Sequence, residues 1–549
     1  MHNQANQNAH KTFFSGVLLL TLSTVSVKVI GLLYKIPMLA SLGSEGMGYF
    51  NSAYEIYALF CVISTAGLPV ALSILISGAL ARGEEAKVSQ IYRTALWIFL
   101  AIGILGTGIM IVFAKQFCDL IQSENAYYSI LAIAPPVFLI CVSSALRGFF
   151  QGYRQMLPTA VSQMLEAFGK LVFGLAFAYF ALQKGYDTPI IAAFAGLGLT
   201  LGTLISVLYL AVKKLRFPHA DRTVSVNTHG TFLRRLCRLA VPMTLGASLV
   251  SVTKLIDMTM ILRRLQSIGY SEVLANEAYG SYTTLAVSVF GLLPTLLNSV
   301  ALPLVPSLSG AIAEGNRERQ AQMIRLSYRL TSIFAIPAAL GVSAFAAPVL
   351  KLLFGHDAEA VAIAAPLLSY LGVSVFLSCM ITATNSVLHA YQIVNRPIFS
   401  MLAGAVIKLV FAYVLIGNPS IGLIGAPIST FLCNLTVVLL NLCFAARLCE
   451  IPDLLSVLLR PMLAAAPAVG IGFIGYHLIA ARLGESAILT LAMLSIVVIT
   501  YLVLACKTGT VRREDILAMP MGDRIVRFFT DIHLLREEQK DRIIKGKDL

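Results

Sequence analysis

Fourteen apolar stretches, each at least 22 residues long, recur between residue 12 and residue 506 of this 549-residue chain. A helix needs about 20 residues to cross the ~30 Å hydrocarbon core of a bilayer, and it satisfies its own backbone hydrogen bonds on the way. Such a chain is confined to one class, an all-α integral membrane protein. The expected spans are 12–40, 50–80, 90–114, 128–150, 157–182, 189–212, 237–262, 277–308, 325–352, 360–388, 396–417, 421–446, 458–481 and 485–506. With 58% hydrophobic and 12% charged residues and a mean hydropathy of +0.82, there is too little charge to clothe a water-exposed surface.

An even number of spans places both termini on one face. Thirty of the 41 Lys and Arg fall in segments or span ends on that face, ten of them in the tail. The other face holds six: Lys115, Lys184, Arg263, Arg264, Lys351 and Arg482. Basic residues are retained on the cytoplasmic side, so both termini are expected in the cytoplasm of a cell-membrane protein. The first apolar run follows Lys11 as a signal peptide would, but it continues through Lys28 and Lys35 to Ala40 and reads as a span. The net charge of +14 lies mostly in inner loops and tail, where it attracts anionic lipid headgroups; nucleic-acid binding is not expected. Only Cys118 of nine cysteines falls in an outer loop, which excludes an outer disulfide. The eight histidines lack ligand spacing, so neither a metal nor a resident cofactor is expected.

The five remaining basic residues lie inside spans: Lys28, Lys35, Lys170, Lys254 and Lys408. A lysine at mid-span facing lipid costs roughly 2.5 to 3.5 kcal/mol, or about 10 to 14 for four. Lys28, Lys170, Lys254 and Lys408 are therefore expected to face a shared, hydrated central cleft that suits an anionic substrate. Lys35 lies near the outer end of its span, where its stem can carry the charge to headgroups. Glu55, also near an outer mouth, is expected to be solvated.

The chain is internally duplicated. Ser77-Gly78-Ala79-Leu80-Ala81-Arg82-Gly83 recurs as Ser309-Gly310-Ala311-Ile312-Ala313-Glu314-Gly315, with five of seven positions identical. Lys170-Leu171-Val172-Phe173 recurs as Lys408-Leu409-Val410-Phe411, each lysine seventeen residues after a tyrosine, Tyr153 or Tyr391. Lys28 pairs with Lys254 in the same way. The offset between matched positions widens slightly from the first of these pairs to the last, as small loop insertions would cause, and every match joins spans six apart. Six is even, so the copies run parallel. The expected architecture is two pseudo-symmetric six-helix lobes around a cleft, plus two further helices. Its boundaries are an N-lobe at 1–212, a basic cytoplasmic loop at 213–238, a C-lobe at 239–446, the extra pair at 447–506 and a tail at 507–549. The tail carries Ile525, Val526, Phe528, Phe529, Ile532, Leu534 and Leu535 at a spacing that predicts a short helix on the inner membrane surface. Gly67-Leu68-Pro69, Pro135-Pro136 and Leu293-Pro294 predict bent helices and favour alternating access over a permanent pore.

Two acids accompany the lysines. Glu166 precedes Lys170 by four residues and Asp257 follows Lys254 by three, so each can partner its lysine across one helical face. Either can also carry a coupling ion, H+ or Na+, because neither has an acidic counterpart in the other copy. Arg147 and Arg154 flank the inner end of the fourth span, where they can attract a diphosphate as it comes in or simply mark topology.

Lys28-Val29-Ile30-Gly31 with Ser41-Leu42-Gly43, the run Ser77 to Gly83, Leu146-Arg147-Gly148-Phe149-Phe150-Gln151-Gly152, Ser162-Gln163 and Glu166 before Lys170, and Leu255-Ile256-Asp257 occur in one order along the chain. In that order they resemble the stage V sporulation protein B branch of the multidrug/oligosaccharidyl-lipid/polysaccharide exporter superfamily, close to the MurJ-like lipid II flippases. The resemblance implies a monomeric transporter, not an enzyme, that moves an undecaprenyl-pyrophosphate-linked saccharide from the inner to the outer leaflet in sporulation, cell-wall or polysaccharide biosynthesis. It also places Lys28 where the family carries a cavity arginine. The family's arginines in the second and eighth spans have no counterpart, since 50–80 and 279–306 contain neither Lys nor Arg. A multidrug/cation antiporter on the same scaffold is the alternative. It calls for an acidic cleft, and four lysines against two mid-span acids disfavour it. A membrane-embedded transferase would need clustered carboxylates or histidines or a substantial outer loop, and the chain has none.

Overall fold

The computed structural model describes residues 2–217, 229–301, 304–393, 395–449 and 453–511, and every regular element among them is helical. The middle of the inter-lobe loop and the amphipathic tail segment lie outside the described residues. Contacts divide the chain into two compact units.

The first unit comprises Met1–Ser288, His356–Ile363 and Leu409–Ala426. It contains α1 (His2–Thr65), α2 (Leu68–Ala81), α3 (Glu85–Val112), α4 (Ala114–Ile121), α5 (Tyr127–Ile133), α6 (Pro135–Gly152), α7 (Leu157–Gln183), α8 (Thr188–Leu215), α9 (His229–Ser267), α10 (Glu272–Ser281) and a five-residue π turn, Tyr282–Ala286. The seventh expected span is α9, so this unit extends past residue 212, where the repeat pattern ends the N-lobe. The second unit comprises Val289–Gly355, Ala364–Lys408 and Pro427–Leu549. It holds most of α11 (Val287–Ala301), α12 (Leu304–Ala313), α13 (Arg317–Ala344), α14 (Ala346–Phe354), most of α15 (Ala358–Ala390) and α16 (Asn395–Ile416), then α17 (Gly425–Ala446), α18 (Leu454–Leu483) and α19 (Ala487–Lys507).

Twelve helices among the described residues are long and apolar enough to cross a membrane. They follow the expected spans except in two places. The first two spans run together, because α1 bends at Gly43 (φ 66°, ψ 176°) without ending, and the interruption falls instead at Gly67-Leu68-Pro69, before α2. The eighth is divided into α10, the π turn and α11. Large apolar side chains such as Trp97, Ile104, Leu105 and Val112 on α3 point outward; Trp97 is 73% exposed. In water that would be a liability, whereas facing acyl chains it carries no penalty.

The duplication is visible in backbone conformation. Gly83 (φ 71°) and Gly315 (φ 68°) close α2 and α12 in the left-handed region, which a residue without Cβ adopts freely. Their bonds match: Gly83 and Glu84 donate to the Leu80 and Ala79 carbonyls, and Gly315 and Asn316 to those of Ile312 and Ala311. Arg154 (φ 58°) and Gln392 (φ 61°) are both left-handed directly after Tyr153 and Tyr391. Phe113 and Phe345, separated in sequence by the same interval as Gly83 and Gly315, break the helix at φ −99° and −102°.

Within the first unit the duplicated elements meet. Beyond its bend, α1 crosses α10 so closely that a Cβ on Gly48 would strike the Asn276 carbonyl, and one on Gly280 the Ser44 carbonyl. The interval that relates Gly83 to Gly315 also relates Gly48 to Gly280 and Ser44 to Asn276. When a residue on one helix touches its partner, the counterparts of both touch in the same way, which is the rule of an isologous contact about a twofold axis. Asn51 continues the crossing, its Nδ2 donating to Thr283 Oγ1 and Thr284 Oγ1 at 2.9 Å each, and Thr283 is the counterpart of Asn51.

In the second unit the extra pair, α18 and α19, packs on α13 and α14. The Tyr501 hydroxyl donates to the Ile333 carbonyl at 2.5 Å, and Phe345 meets Tyr476 edge to face at 6.0 Å.

Candidate functional site

The bend at Gly43 folds α1 back so that residues from both arms face α7. Tyr34 from the first arm and Phe50 and Tyr54 from the second surround the Lys170 ammonium, with ring centres 5.2, 5.6 and 4.3 Å away. Aromatic faces attract a cation through their quadrupole but do not neutralise it. The three rings thus form an attractive cage for a cation at mid-span.

Lys35, beside Tyr34, does not reach out to headgroups. Its Nζ donates to Ser288 Oγ at 2.8 Å and to the Thr283 carbonyl at 3.2 Å. The π turn makes this possible, because its wider ring leaves the Thr283 carbonyl accessible to an outside donor. From there Lys35 lies within electrostatic range of Lys28, Lys170, Lys254 and Glu55. Lys28 on α1 and Lys254 on α9 are exposed and within range of each other. Three of the four expected lysines thus gather in one unit, joined by Lys35. Lys408, on α16, is half-buried in the second unit.

Glu166 faces a partner that its spacing does not predict. Its Oε2 accepts from Arg147 Nη2 at 2.8 Å, and Arg147 also donates to Ser162 Oγ at 2.9 Å and Ser206 Oγ at 3.2 Å. Arg147 is buried, so the expectation that it greets substrate at an inner mouth gives way to a clasp binding α6, α7 and α8. Glu166 stays within electrostatic range of Lys170, but its direct ion pair is with Arg147: a guanidinium offers a planar fork that a carboxylate prefers to a point charge. Arg154 is exposed at the end of α6, away from this clasp. Glu55 is half-buried and not freely solvated: its Oε2 is buried without a hydrogen-bond donor among the described residues, in range of Lys35. Asp257, half-buried on α9, shares with Glu55 the neighbourhood of Tyr279. With the charge of Glu166 offset by Arg147, the four lysines stand against the carboxylates of Glu55 and Asp257. That balance favours a polyanion and disfavours a cationic guest.

The sequence reading places Lys35 at the headgroups and Glu55 in water, and it does not contain the aromatic cage. One signal was present: Phe50, Tyr54 and Tyr57 sit at positions i, i+4 and i+7, a single stripe on the second arm.

The family model described as a polysaccharide biosynthesis protein matches residues 13–312, more than half of the chain. The chain belongs to the polysaccharide biosynthesis protein family. A second model, MatE, matches residues 242–414 of this family member. Stage V sporulation protein B of Bacillus subtilis (strain 168) is 27% identical to it over 444 residues, covering 79% of this chain and 83% of that protein. The lipid II flippase MurJ of the same organism is 24% identical over 416 residues, covering 72% and 76%. A solved structure of the lipid II flippase MurJ in an inward closed conformation superposes with a TM-score of 0.67 at 14% identity, over 89% of this chain and 98% of that one. This family member is accordingly a multi-pass membrane protein that shares the fold of the solved MurJ structure.

Proposed function

We propose that this protein is a flippase that carries an undecaprenyl-pyrophosphate-linked saccharide, lipid II or a related cell-wall or polysaccharide precursor, from the inner to the outer leaflet by alternating access. The observation that carries this reading is the gathering of Lys28, Lys35, Lys170 and Lys254 against the carboxylates of Glu55 and Asp257, with Glu166 offset by Arg147. A diphosphate is the part of such a lipid that most resists the bilayer. At ~4 Å and an effective dielectric constant of ~20, each pair of opposite unit charges contributes about 4 kcal/mol toward offsetting that resistance. Lysines suit a moving cargo because each is a point charge on a flexible stem that can follow the diphosphate as helices shift. In this reading the polyprenyl tail stays in lipid, and both termini face the cytoplasm. Asp257 carries the coupling ion, H+ or Na+, since Glu166 is held by Arg147. The match to the MatE model favours a second reading, a multidrug/cation antiporter, but the sign of the charge opposes it.

Proteoliposomes loaded with labelled polyprenyl-pyrophosphate sugars test the proposal. Wild-type protein transfers them to the opposite leaflet, while Lys28→Ala, Lys170→Ala and Lys254→Ala each slow transfer at least tenfold without loss of folded protein. Efflux of cationic drugs with no movement of the lipid would overturn the flippase reading in favour of the antiporter. Asp257→Asn abolishes the dependence of transfer on an ion gradient; an unchanged dependence rejects the coupling role.

A further inference from the structure

The inner ends of α13 and α18, both in the second unit, enclose a cavity of about 190 Å³ lined by Arg325, Arg329, Arg460, Asp453, Ser456 and Thr510. Arg325 and Arg329 stand one helical turn apart on α13, so they project to one side. Arg460 comes from the second turn of α18 and faces the same space. Arg329 is partly engaged, its Nη2 donating to the Thr510 carbonyl at 2.9 Å. Arg325 and Arg460 are exposed and form no ion pair among the described residues. The acid in the lining, Asp453, caps α18 by accepting from the Leu455 N–H at 3.1 Å. Arg325 and Arg460 outnumber the one carboxylate of the lining, Asp453, and leave the cavity cationic, and a volume far above the ~15 Å³ that admits a single water gives room for a larger anion.

We propose that this cavity binds the phosphate of an anionic phospholipid headgroup, at a site separate from the lysine cluster. Arginine forks match phosphate oxygens in pairs, which a scattered basic surface does not achieve. The cavity opens where the basic loops mark the cytoplasmic face, at the depth of lipid phosphates. Beyond it along α18 run Leu459, Met462 and Leu463, exposed by 47%, 51% and 60%, an apolar track for the acyl chains of a lipid whose head occupies the cavity. Free phosphate shares the headgroup chemistry but has no use for that track.

The test uses the full chain in a neutral detergent and reads thermal unfolding against added ligand, so it is independent of any transport assay and of the flippase reading. Short-chain phosphatidylglycerol raises the midpoint of the wild type, short-chain phosphatidylcholine at equal concentration does not, and inorganic phosphate acts only at concentrations at least tenfold higher. The double variant R325Q/R460Q binds phosphatidylglycerol at least tenfold more weakly, and R325K/R460K recovers part of the affinity. Should R325Q/R460Q fail to fold, the single variant R460Q carries the same comparison. Equal effects of phosphate and phosphatidylglycerol would replace the lipid with a soluble phosphate as ligand and overturn the headgroup assignment. A phosphatidylglycerol response unchanged in the glutamine variants, or none in the wild type, would overturn the site itself.

Discussion

Arg147 and Glu166 carry opposite charges with side chains only 10% and 20% exposed, so neither can fall back on water if the other is removed. Arg147→Ala is expected to destabilise the protein by about 3 to 5 kcal/mol, the usual cost of stranding one member of a buried ion pair. Glu166→Gln, which keeps a hydrogen-bond acceptor for the guanidinium, costs less, and unfolding in detergent ranks the two. A transport defect in Arg147→Ala with unchanged stability would return that residue to a substrate role. Cys118, in α4 outside the spans, is buried, and burial pushes its thiol up to about 12. Only the thiolate reacts with maleimides, and at pH 8 roughly one molecule in ten thousand holds it. Outer-face labelling at pH 8 is therefore expected to miss Cys118 in folded protein and reach it after denaturation. Rapid labelling of the native protein would show that α4 does not cover the thiol. Neither behaviour is legible locally: Glu166 and Arg147 sit on different helices, and the lysine one turn from Glu166 is the more obvious mate until α6 and α8 are placed beside it.

Among the helices, the crossing of α1 and α10 leaves no room for a side chain on either side. Gly48→Ala and Gly280→Ala each press a methyl group into a backbone carbonyl, and overpacking of this kind costs roughly 1 to 3 kcal/mol. Because the contact is isologous, the two substitutions should destabilise to a similar degree. A large effect at one and none at the other, measured by unfolding of the purified variants, would contradict the twofold crossing. Gly83→Ala and Gly315→Ala test the caps: at φ near 70° each costs about 1 to 2 kcal/mol, while Gly310→Ala, with nothing within 4 Å of its Cβ and a helical backbone, is neutral or stabilising. The caps were readable in advance, since the repeated glycine marks where each copy turns. The bend at Gly43 was not, because an apolar sequence looks the same whether one long helix kinks or two helices join through a turn. Yet that bend brings Tyr34 to Phe50 and Tyr54 and so makes the cage around Lys170.

Across the whole molecule, the basic bias sets an orientation that reporter fusions can check. A fluorescent protein fused to the C-terminus is expected to mature in the cytoplasm, whereas alkaline phosphatase there stays inactive; activity of the phosphatase would invert the topology. Length and spacing of the apolar stretches determine the all-α membrane class by themselves, because stretches of about 20 or more apolar residues cross lipid as helices, whereas the other arrangement that satisfies its backbone there, a closed β-barrel, uses strands of about 10 residues with alternating polarity. Duplicated motifs determine parallel copies, since matching spans six apart must cross in the same direction. Lys28 and Lys254 were recognisable as a pair for that reason, and the structure places them within range of each other. What only tertiary structure decided is which groups meet which: Lys35 turning to the π turn, Glu166 yielding to Arg147, Arg325 joining Arg460 around a cavity. Hydropathy and repeat period are properties of neighbours along the chain and survive any folding. Charge pairing depends on distances between helices far apart in sequence, and those distances exist only after the helices have packed.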